Sequence, residues 1–435
     1  MKTLRPLLGL LALTVLAPVA FAADTQEGGI KVGDGLLHPF LDLQSRYDTF
    51  ATLDVNGAPA ADLLWDIRPG LKLNIPSPTL SFDLGGDVDA VLYTLNPGLD
   101  RILADGSVVV GINRGGSVGL DLGDQFNRAD NNNMVALPFA LLSDYNDASA
   151  KLAFRPGGGA LAIEPGYDFI WEHFEAIPGA GGLPACSDSP LCDPANASLM
   201  DFINNKFSLN LRWKFFPQTA FLLGGDFLMA NYLNPGSGLS ANAPLNIFDA
   251  TIGVAGLLTN RLEVIAKAGY AQTMLSGSDL TQIPALAAVG NDHTGIGQFE
   301  LAYALGDTGK LKMGVVRLLQ PSPTVLAYYT DTRPYVGARF LLGGKLTLHL
   351  DASFDLFNYA LNSQGNSGGR TDGSLRLDVG PEYEIARWIR IAAGYDFTNM
   401  SSSDSYAYSV LNSSSAFGGP GYDNHEVYLR VTLTY

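Results

Sequence analysis

Apolar and polar residues alternate with a period of two along most of the chain. The clearest example is the segment 206–215, where alternate residues from Phe207 to Phe215 are all apolar and those between them are polar or charged. Three further examples lie at 80–93, 345–356 and 389–398. Because successive side chains of a strand point to opposite faces, this pattern predicts β-strands with one wholly apolar face.

The lengths of the strands and of their connections distinguish between two all-β folds. A soluble β-sandwich also alternates, but its strands usually hold about 5 or 6 residues. The segments here are longer and match the span of a strand that crosses a bilayer at a tilt. Short turns such as 75–78, 260–261 and 343–344 also alternate with much longer loops. This rhythm is typical of a transmembrane barrel with short turns on one side.

We therefore predict an all-β fold, a single antiparallel up-and-down transmembrane β-barrel of about 18 strands with both termini in the periplasm. The count becomes 16 if the two weakest segments, 106–113 and 138–154, do not span. The predicted strands are 37–49, 62–75, 79–93, 106–113, 117–127, 138–154, 160–174, 202–216, 220–232, 246–258, 262–275, 295–305, 310–320, 328–342, 345–358, 372–386, 389–400 and 424–435.

The N-terminal residues predict export. Lys2 and Arg5 precede an apolar run, Leu7–Leu16, and a small-x-small pattern closes at Ala22. That run is shorter than the roughly 20 residues of a spanning helix, so it indicates a cleaved signal peptide over 1–22. Residues 23–36 are then a short, glycine-rich periplasmic arm, and residues 37–435 form the barrel, placed in the outer membrane of the cell.

Composition narrows the function classes. Only 16% of the 435 residues are charged, whereas 49 are Gly and 18 are Tyr, a mixture suited to many strands and turns. The formal net charge of −16 argues against a nucleic-acid partner. After the signal peptide no apolar stretch is long enough to predict a spanning helix.

The last strand carries a further sign of membrane insertion. Its apolar face ends on the aromatic Tyr435. This resembles the C-terminal assembly signal of outer-membrane proteins, which implies insertion by barrel-assembly machinery. Outer-membrane lipid and lipopolysaccharide are the surroundings expected for such a barrel.

Several short motifs resemble the beta-barrel porin 2 family. They are Leu37-His38-Pro39 leading to Tyr47-Asp48, Arg68-Pro69-Gly70-Leu71, Asn113-Arg114 before a glycine turn, and Gly394-Tyr395. They are spread over nearly the whole chain that follows the signal peptide. The resemblance implies an outer-membrane barrel more firmly than it implies any substrate.

Four prolines interrupt predicted strands on their outward face. They are Pro69, Pro165, Pro334 and Pro381. Because proline cannot donate to a ladder and a closed barrel has no free edge, we interpret them as bulge sites. The alternative is that some of these strands are broken in two.

No catalytic constellation stands out. His349, Asp351 and Ser353 share one face of one strand. Residues two apart lie roughly 6.6 Å from each other with parallel side chains, too far for a nucleophile–base hydrogen bond. We therefore predict neither an enzyme nor a cofactor nor a metal site.

The polar faces are predicted to line a lumen of mixed charge. The residues expected to set selectivity are Asp83, Asp87, Asp89, Arg212, Lys214, His349, Asp351 and Asp355. A barrel of this size is wide enough to hold water. The first hypothesis is passive diffusion of small hydrophilic solutes with a weak preference for cations. The long loop over about 175–201 is the candidate constriction.

Two alternatives stay open. One is a structural or surface-interaction barrel that binds a partner through its outer loops. The other is an uptake channel for a hydrophobic solute, for which the sequence shows no apolar track along the lumen. The sequence leaves the identity of the solute and the oligomeric state undetermined.

Cys186 and Cys192 are the two cysteines of the chain. In an oxidising compartment, this spacing within one loop predicts a disulfide, with a pair of free thiols as the alternative. We expect a thiol-reactive dye to label neither residue of the native protein until a reductant is added. Ready labelling of the non-reduced protein would show free thiols instead.

Overall fold

A computed structural model describes residues 29–53, 59–130, 141–176, 194–234, 244–275, 290–322, 327–361, 368–404 and 421–435. The predicted signal peptide, 1–22, and the two cysteines lie outside these residues. Within the described residues, no helix is long and apolar enough to cross a membrane.

The described residues contain nineteen strands. They are β1 (Ile30–Val32), β2 (Gly35–Leu53), β3 (Pro59–Ile75), β4 (Leu80–Tyr93), β5 (Arg101–Ile112), β6 (Val118–Asp130), β7 (Leu141–Phe154), β8 (Leu161–Ala176), β9 (Phe202–Phe216), β10 (Thr219–Tyr232), β11 (Leu245–Thr259), β12 (Leu262–Leu275), β13 (His293–Ala304), β14 (Gly309–Pro321), β15 (Tyr328–Leu342), β16 (Leu346–Tyr359), β17 (Arg370–Ala386), β18 (Ile389–Ser402) and β19 (Gly421–Thr434). Short 3₁₀ helices occupy Pro97–Leu99, Pro156–Gly158 and Pro194–Met200.

Strands β2 to β19 form a closed barrel. Each pairs antiparallel with the next along the chain, and β19 pairs with β2 from Glu426↔Asp48 to Thr434↔Phe40. The barrel therefore has 18 strands in up-and-down order, which confirms the predicted fold class. The segments 106–113 and 138–154 both correspond to barrel strands, β5 and β7, so the count of 16 is wrong.

Connections alternate between two rims of the barrel. At one rim the strands are joined by short turns, such as 217–218 between β9 and β10 and 260–261 between β11 and β12. We call this the short-turn rim, and the opposite end the long-loop rim. Strand β2 starts and β19 ends at the short-turn rim. The assignment of this rim to the periplasm stays a prediction.

The segment before the barrel is partly ordered as a hairpin. Strand β1 pairs with the start of β2 through Ile30↔Leu37 and Val32↔Gly35. The first barrel strand thus begins at Gly35, two residues before the predicted boundary.

The outer face of the barrel is an apolar surface bordered by aromatic residues. Exposed aromatic side chains near the short-turn rim are Phe154, Trp213, Phe215, Phe340, Tyr383 and Tyr435. Those nearer the long-loop rim are Tyr47, Trp65, Phe248, Tyr270 and Phe354. Leucine, isoleucine and valine dominate between these two girdles. Such a surface is stable against lipid hydrocarbon, with aromatic rings at both interfaces.

The interpretation of the strand prolines as bulges is wrong. At Pro69, pairing between β3 and β4 stops after Ile67↔Ala90 and resumes at Gly70↔Asp87 in the same register. The same in-register gap occurs on one side of Pro165, Pro334 and Pro381. A proline nitrogen faces only one neighbouring strand, so the ladder loses pairs on that side alone. The strands are also not broken in two.

The closing seam between β19 and β2 gives a test of the barrel. The Tyr435 amide donates to the Pro39 carbonyl at 3.0 Å, and 69% of the Tyr435 residue is exposed. Tyr435→Asp would put a charge on the lipid-facing side of this seam, whereas Tyr435→Phe keeps an aromatic ring. We expect the Asp variant to lower the yield of folded barrel several-fold, measured as the gel band that shifts on boiling. A normal yield would contradict the role assigned to Tyr435.

Candidate functional site

The lumen is the candidate site, because the inner face of the barrel holds the polar half of each alternating strand. On β2, Leu43 and Tyr47 are exposed on the outer surface, whereas Asp42 and Arg46 are buried on the other face. The same division holds on β3, where Trp65 is outward and Asp66 is buried inward. The period of two therefore places the charged side chains inside a closed wall.

A buried ion network joins the strands at the closing seam. The Arg46 guanidinium lies 3.0 Å from Asp66 on β3 and 2.8 Å from Glu426 on β19. Next to it, the less buried Arg68 contacts Asp42 at 2.6 Å. A charge removed from water needs such partners to be tolerated. These contacts tie together three strands that include both ends of the barrel.

The predicted acids Asp83, Asp87 and Asp89 all lie on the inner face of β4. Asp83 accepts a hydrogen bond from the Asn74 amide and lies 3.4 Å from Arg114. Asp87 lies 3.8 Å from Arg68, and Asp89 is buried. Neighbouring inner positions of β5 to β8 continue this acidic surface. Together they form the acidic wall, made up of Asp83, Asp87, Asp89, Asp105, Asp121, Asp147 and Asp168.

The predicted bases Arg212 and Lys214 lie on β9, in a different part of the lumen. Their pairing partners, Leu222 and Ala220 on β10, are buried inside the barrel. Further inner positions add to a basic wall, made up of Lys206, Arg212, Lys214, Lys267, Lys310, Lys312 and Arg339.

The two walls occupy adjoining arcs of the ring, β4 to β8 and β9 to β15, and meet at the pair Asp168↔Lys206. Their more distant members lie on opposite sides of the lumen, because β5, which carries Asp105, and β14, which carries Lys310 and Lys312, are nine strands apart in a ring of 18. Each wall also holds ion partners of the opposite sign, such as Asp226 at 2.9 Å from Lys206. From the enrichment of acids on one arc and bases on the other, we expect a transverse electric field in the lumen.

The three predicted residues of β16 have separate surroundings. His349 contacts Asp378 on β17 at 3.0 Å through its Nε2 atom. Asp351 is exposed in the lumen, and Asp355 is buried in contact with Arg333 of β15. The imidazole is thus paired with a carboxylate on the next strand.

An apolar inner surface was missed by the sequence analysis. Near the long-loop rim of β8 to β14, inward side chains surround a cavity of about 100 Å³. Its apolar lining includes Ile170, Phe202, Leu228, Ile247, Ile296 and Leu318. Its polar lining includes Glu172, Asn204, Lys206, Asp226 and Asp249. The expectation that the lumen has no apolar track is therefore wrong in this part of the wall.

The signal for this cavity is present in the sequence but is easily misread. In 227–230 and 245–248, apolar residues occupy both faces near the long-loop end of the strand. The loss of alternation there indicates that the inner face is apolar as well. Periodicity analysis registers such segments only as weak strand signals.

The described end of the longest loop packs on the same wall. In the 3₁₀ helix Pro194–Met200, Ala197 and Met200 join a buried cluster with Ile170, Phe174 and Phe202. Asp201 then accepts a hydrogen bond from the Phe174 amide at 2.8 Å. This part of the predicted constriction therefore lies against the inner surface. Most of the remainder, including the cysteines, is outside the described residues.

Comparisons with known proteins show barrels of similar form. No family model matches the chain, and no curated protein matches it, so the resemblance to the beta-barrel porin 2 family stays a prediction.

Several solved outer-membrane proteins are similar at low identity. The vanillate complex of OpdK from Pseudomonas aeruginosa has a TM-score of 0.45 and 10% identity, covering 92% of this chain and 99% of that one. OccAB3 from Acinetobacter baumannii has a TM-score of 0.44 and 11% identity, covering 93% and 100%. The FrpB iron transporter from Neisseria meningitidis has a TM-score of 0.49 and 7% identity, covering 94% of this chain and 82% of that one. TM-scores below 0.5 at such identities indicate neither a shared substrate nor a shared mechanism.

The seam network predicts a difference between two arginines. Arg46→Ala would leave Asp66 and Glu426 buried without their cation. The Arg68 side chain is four times as exposed, at 20% against 5% for Arg46. We expect Arg46→Ala to lower the free energy of unfolding by roughly 3–5 kcal/mol, as for other broken buried pairs. Arg68→Ala should cost clearly less. Denaturant unfolding in lipid vesicles measures both, and equal losses would contradict the network.

Proposed function

We propose that this protein is an outer-membrane channel for passive diffusion of small hydrophilic solutes. The observation that carries the proposal is the closed 18-stranded barrel with an apolar outer surface and a lumen lined by charges. Barrels of 16 to 18 strands leave an aqueous channel where their interior is not filled. Passage of solutes through the lumen, without covalent chemistry, is the function that this geometry supports best.

The membrane location follows from the outer surface and the predicted export. The 18 strands of the barrel contain between 12 and 19 residues, enough to cross a bilayer at a tilt. A cleaved signal peptide, insertion by barrel-assembly machinery through the Tyr435 signal, and contact with lipopolysaccharide complete this proposal. The short-turn rim then lies in the periplasm, together with both termini.

The charge distribution supports a weak preference for cations. The chain has 43 acidic and 27 basic residues, and acidic side chains such as Asp226 also lie among the bases of the basic wall. Because the opposite wall is basic, the lumen attracts anions as well, so the preference is modest. A transverse field also orients dipolar solutes as they pass.

The apolar cavity favours a second candidate, an uptake channel for amphipathic solutes. The cavity combines an aliphatic and aromatic lining with Lys206 and with three carboxylates, Glu172, Asp226 and Asp249. Concave, mostly apolar sites with a few polar groups are typical of small-molecule binding. A solute with an apolar body and a charged end would fit the cavity better than a simple sugar or salt.

Single-channel recording in planar bilayers tests the proposal. We expect steady conductance with weak cation selectivity, which declines between 0.1 M and 1 M salt because the Debye length shrinks from about 10 Å to about 3 Å. Asp83→Asn, Asp87→Asn and Asp89→Asn together should move selectivity toward anions. The matched pair Lys310→Met and Lys312→Met on the opposite wall should move it toward cations.

The outcomes of this recording separate the candidates. A conductance that a small amphipathic solute blocks, with relief by Ile247→Asp, would favour the second candidate over free diffusion. A correctly inserted barrel with no conductance under any of these conditions would overturn both and favour a surface-interaction barrel.

A further inference from the structure

One carboxylate, that of Asp124, lies on the outer face of the barrel, where a single copy would expose it to lipid. Asp124 is the seventh of the 13 residues of β6, at the middle of the strand. It shares its face with Leu122, whose side chain is on the exposed outer surface, and it is itself exposed. Its pairing partners, Val108 and Ala148, present small apolar side chains beside it.

The surroundings of Asp124 supply one neutral donor. The Asn146 side-chain amide lies 3.3 Å from both carboxylate oxygens. A charged group facing hydrocarbon at mid-span is unfavourable, and the cost is greatest at that depth. The amide offsets only part of this cost, because it brings no positive charge to the carboxylate.

Asp124 belongs to a larger patch of outward polar groups. Arg128, four residues further along the same face, contacts Asp144 at 2.7 Å and Glu175 at 2.8 Å. We call the set of Asp124, Arg128, Asp144, Asn146 and Glu175 the outer polar patch. It extends from the middle of the membrane span toward the long-loop rim.

The aromatic girdle is interrupted at the same place. On the flanking strands β2, β3 and β8, the outward positions near the long-loop rim are Tyr47, Trp65 and Trp171. In register with Trp171, β7 carries Asn146 and β6 carries Phe126. On β4, β5 and β7, the described outward positions near this rim hold no aromatic side chain. Aromatic girdles mark where a barrel meets the lipid interface. The girdle is thus reduced to Phe126 in the sector of β4 to β7, which contains the outer polar patch.

Small residues let another surface approach this sector closely. Outward positions near mid-span include Ala104 and Gly106 on β5 and Ala148 and Ala150 on β7. In membranes, small residues allow close packing of protein surfaces, and polar groups between them form intermolecular hydrogen bonds. The sector thus combines polar groups that need partners with room for a partner.

We propose that the outer polar patch is the contact surface between two copies of this chain in the membrane. The patch carries a guanidinium on β6 and carboxylates on β7 and β8, so Arg128 of one copy can pair with a carboxylate of the other. A two-fold axis parallel to the barrel axis would place Arg128 of each copy against Asp144 of the partner subunit. The contact would also remove Asp124 from hydrocarbon.

Lipopolysaccharide fits the patch less well. Its phosphates would be recognised by clustered arginines and lysines. Here the patch holds three carboxylates, Asp124, Asp144 and Glu175, and one guanidinium, which already contacts two of them. A phosphate surface would bring only negative charge to this patch, whereas a second copy also brings a guanidinium. The inference depends on membrane location but not on conduction, so a barrel without conductance would leave it intact.

Photo-crosslinking in intact outer membranes tests the contact. A benzophenone amino acid replaces Ala148 in one variant and Ala352 in a matched control. Ala352 is also outward and near mid-strand, on β16, nine strands away from β7. We expect irradiation to give an adduct of two copies with the probe at 148 and none with the probe at 352. Boiling-dependent gel migration confirms that each variant is folded.

A second substitution tests whether the Asp124 carboxylate contributes to the contact between copies. With the probe at 148, Asp124→Leu should reduce the two-copy adduct at least fivefold, although it makes the outer surface more apolar. Asp121→Leu, on the same strand but facing the lumen, should leave the adduct yield unchanged. The proposal is overturned by no two-copy adduct at 148, by equal adducts at 148 and 352, by an adduct with lipopolysaccharide or another protein instead, or by no effect of Asp124→Leu.

Discussion

The constraint on which this structure depends is that hydrocarbon offers no hydrogen-bond partners to a backbone. Every N–H and C=O group at membrane depth must therefore be satisfied within the protein, which for strands requires a closed barrel. The chain meets this requirement with 18 strands and with the β19–β2 ladder that joins its two ends. Proline is tolerated in four strands because each in-register gap removes pairs on one side only.

Closure also decides where charge can go. With lipid outside, ionised side chains collect on the inner face, where they pair across strands, as Arg46 does with Asp66 and Glu426. The distribution of the remaining charges around the ring then creates an acidic and a basic wall. The apolar cavity near the long-loop rim interrupts this charged surface and adds a place where a solute can be held.

The sequence predicted the strands well because period-two alternation is a local property of each segment. Strand β9 was expected at 202–216 and has those bounds. Contacts between strands were not predictable, because the pairing of His349 with Asp378 or of Asp355 with Arg333 depends on register between segments. The cavity was missed because alternation disappears where both faces are apolar. Asp124 can be assigned to the outer face only after the orientation of β6 is known from the neighbouring strands.

Water access along a single strand tests the central claim most directly. Single cysteines placed in turn at positions 207–212 of β9, in a Cys186→Ser, Cys192→Ser background, would be exposed in membranes to a small charged thiol reagent. The account predicts labelling at 208, 210 and 212, which face a water-filled lumen, and protection at 207, 209 and 211, which face lipid. Uniform labelling of all six positions, or labelling of the odd positions alone, would contradict it.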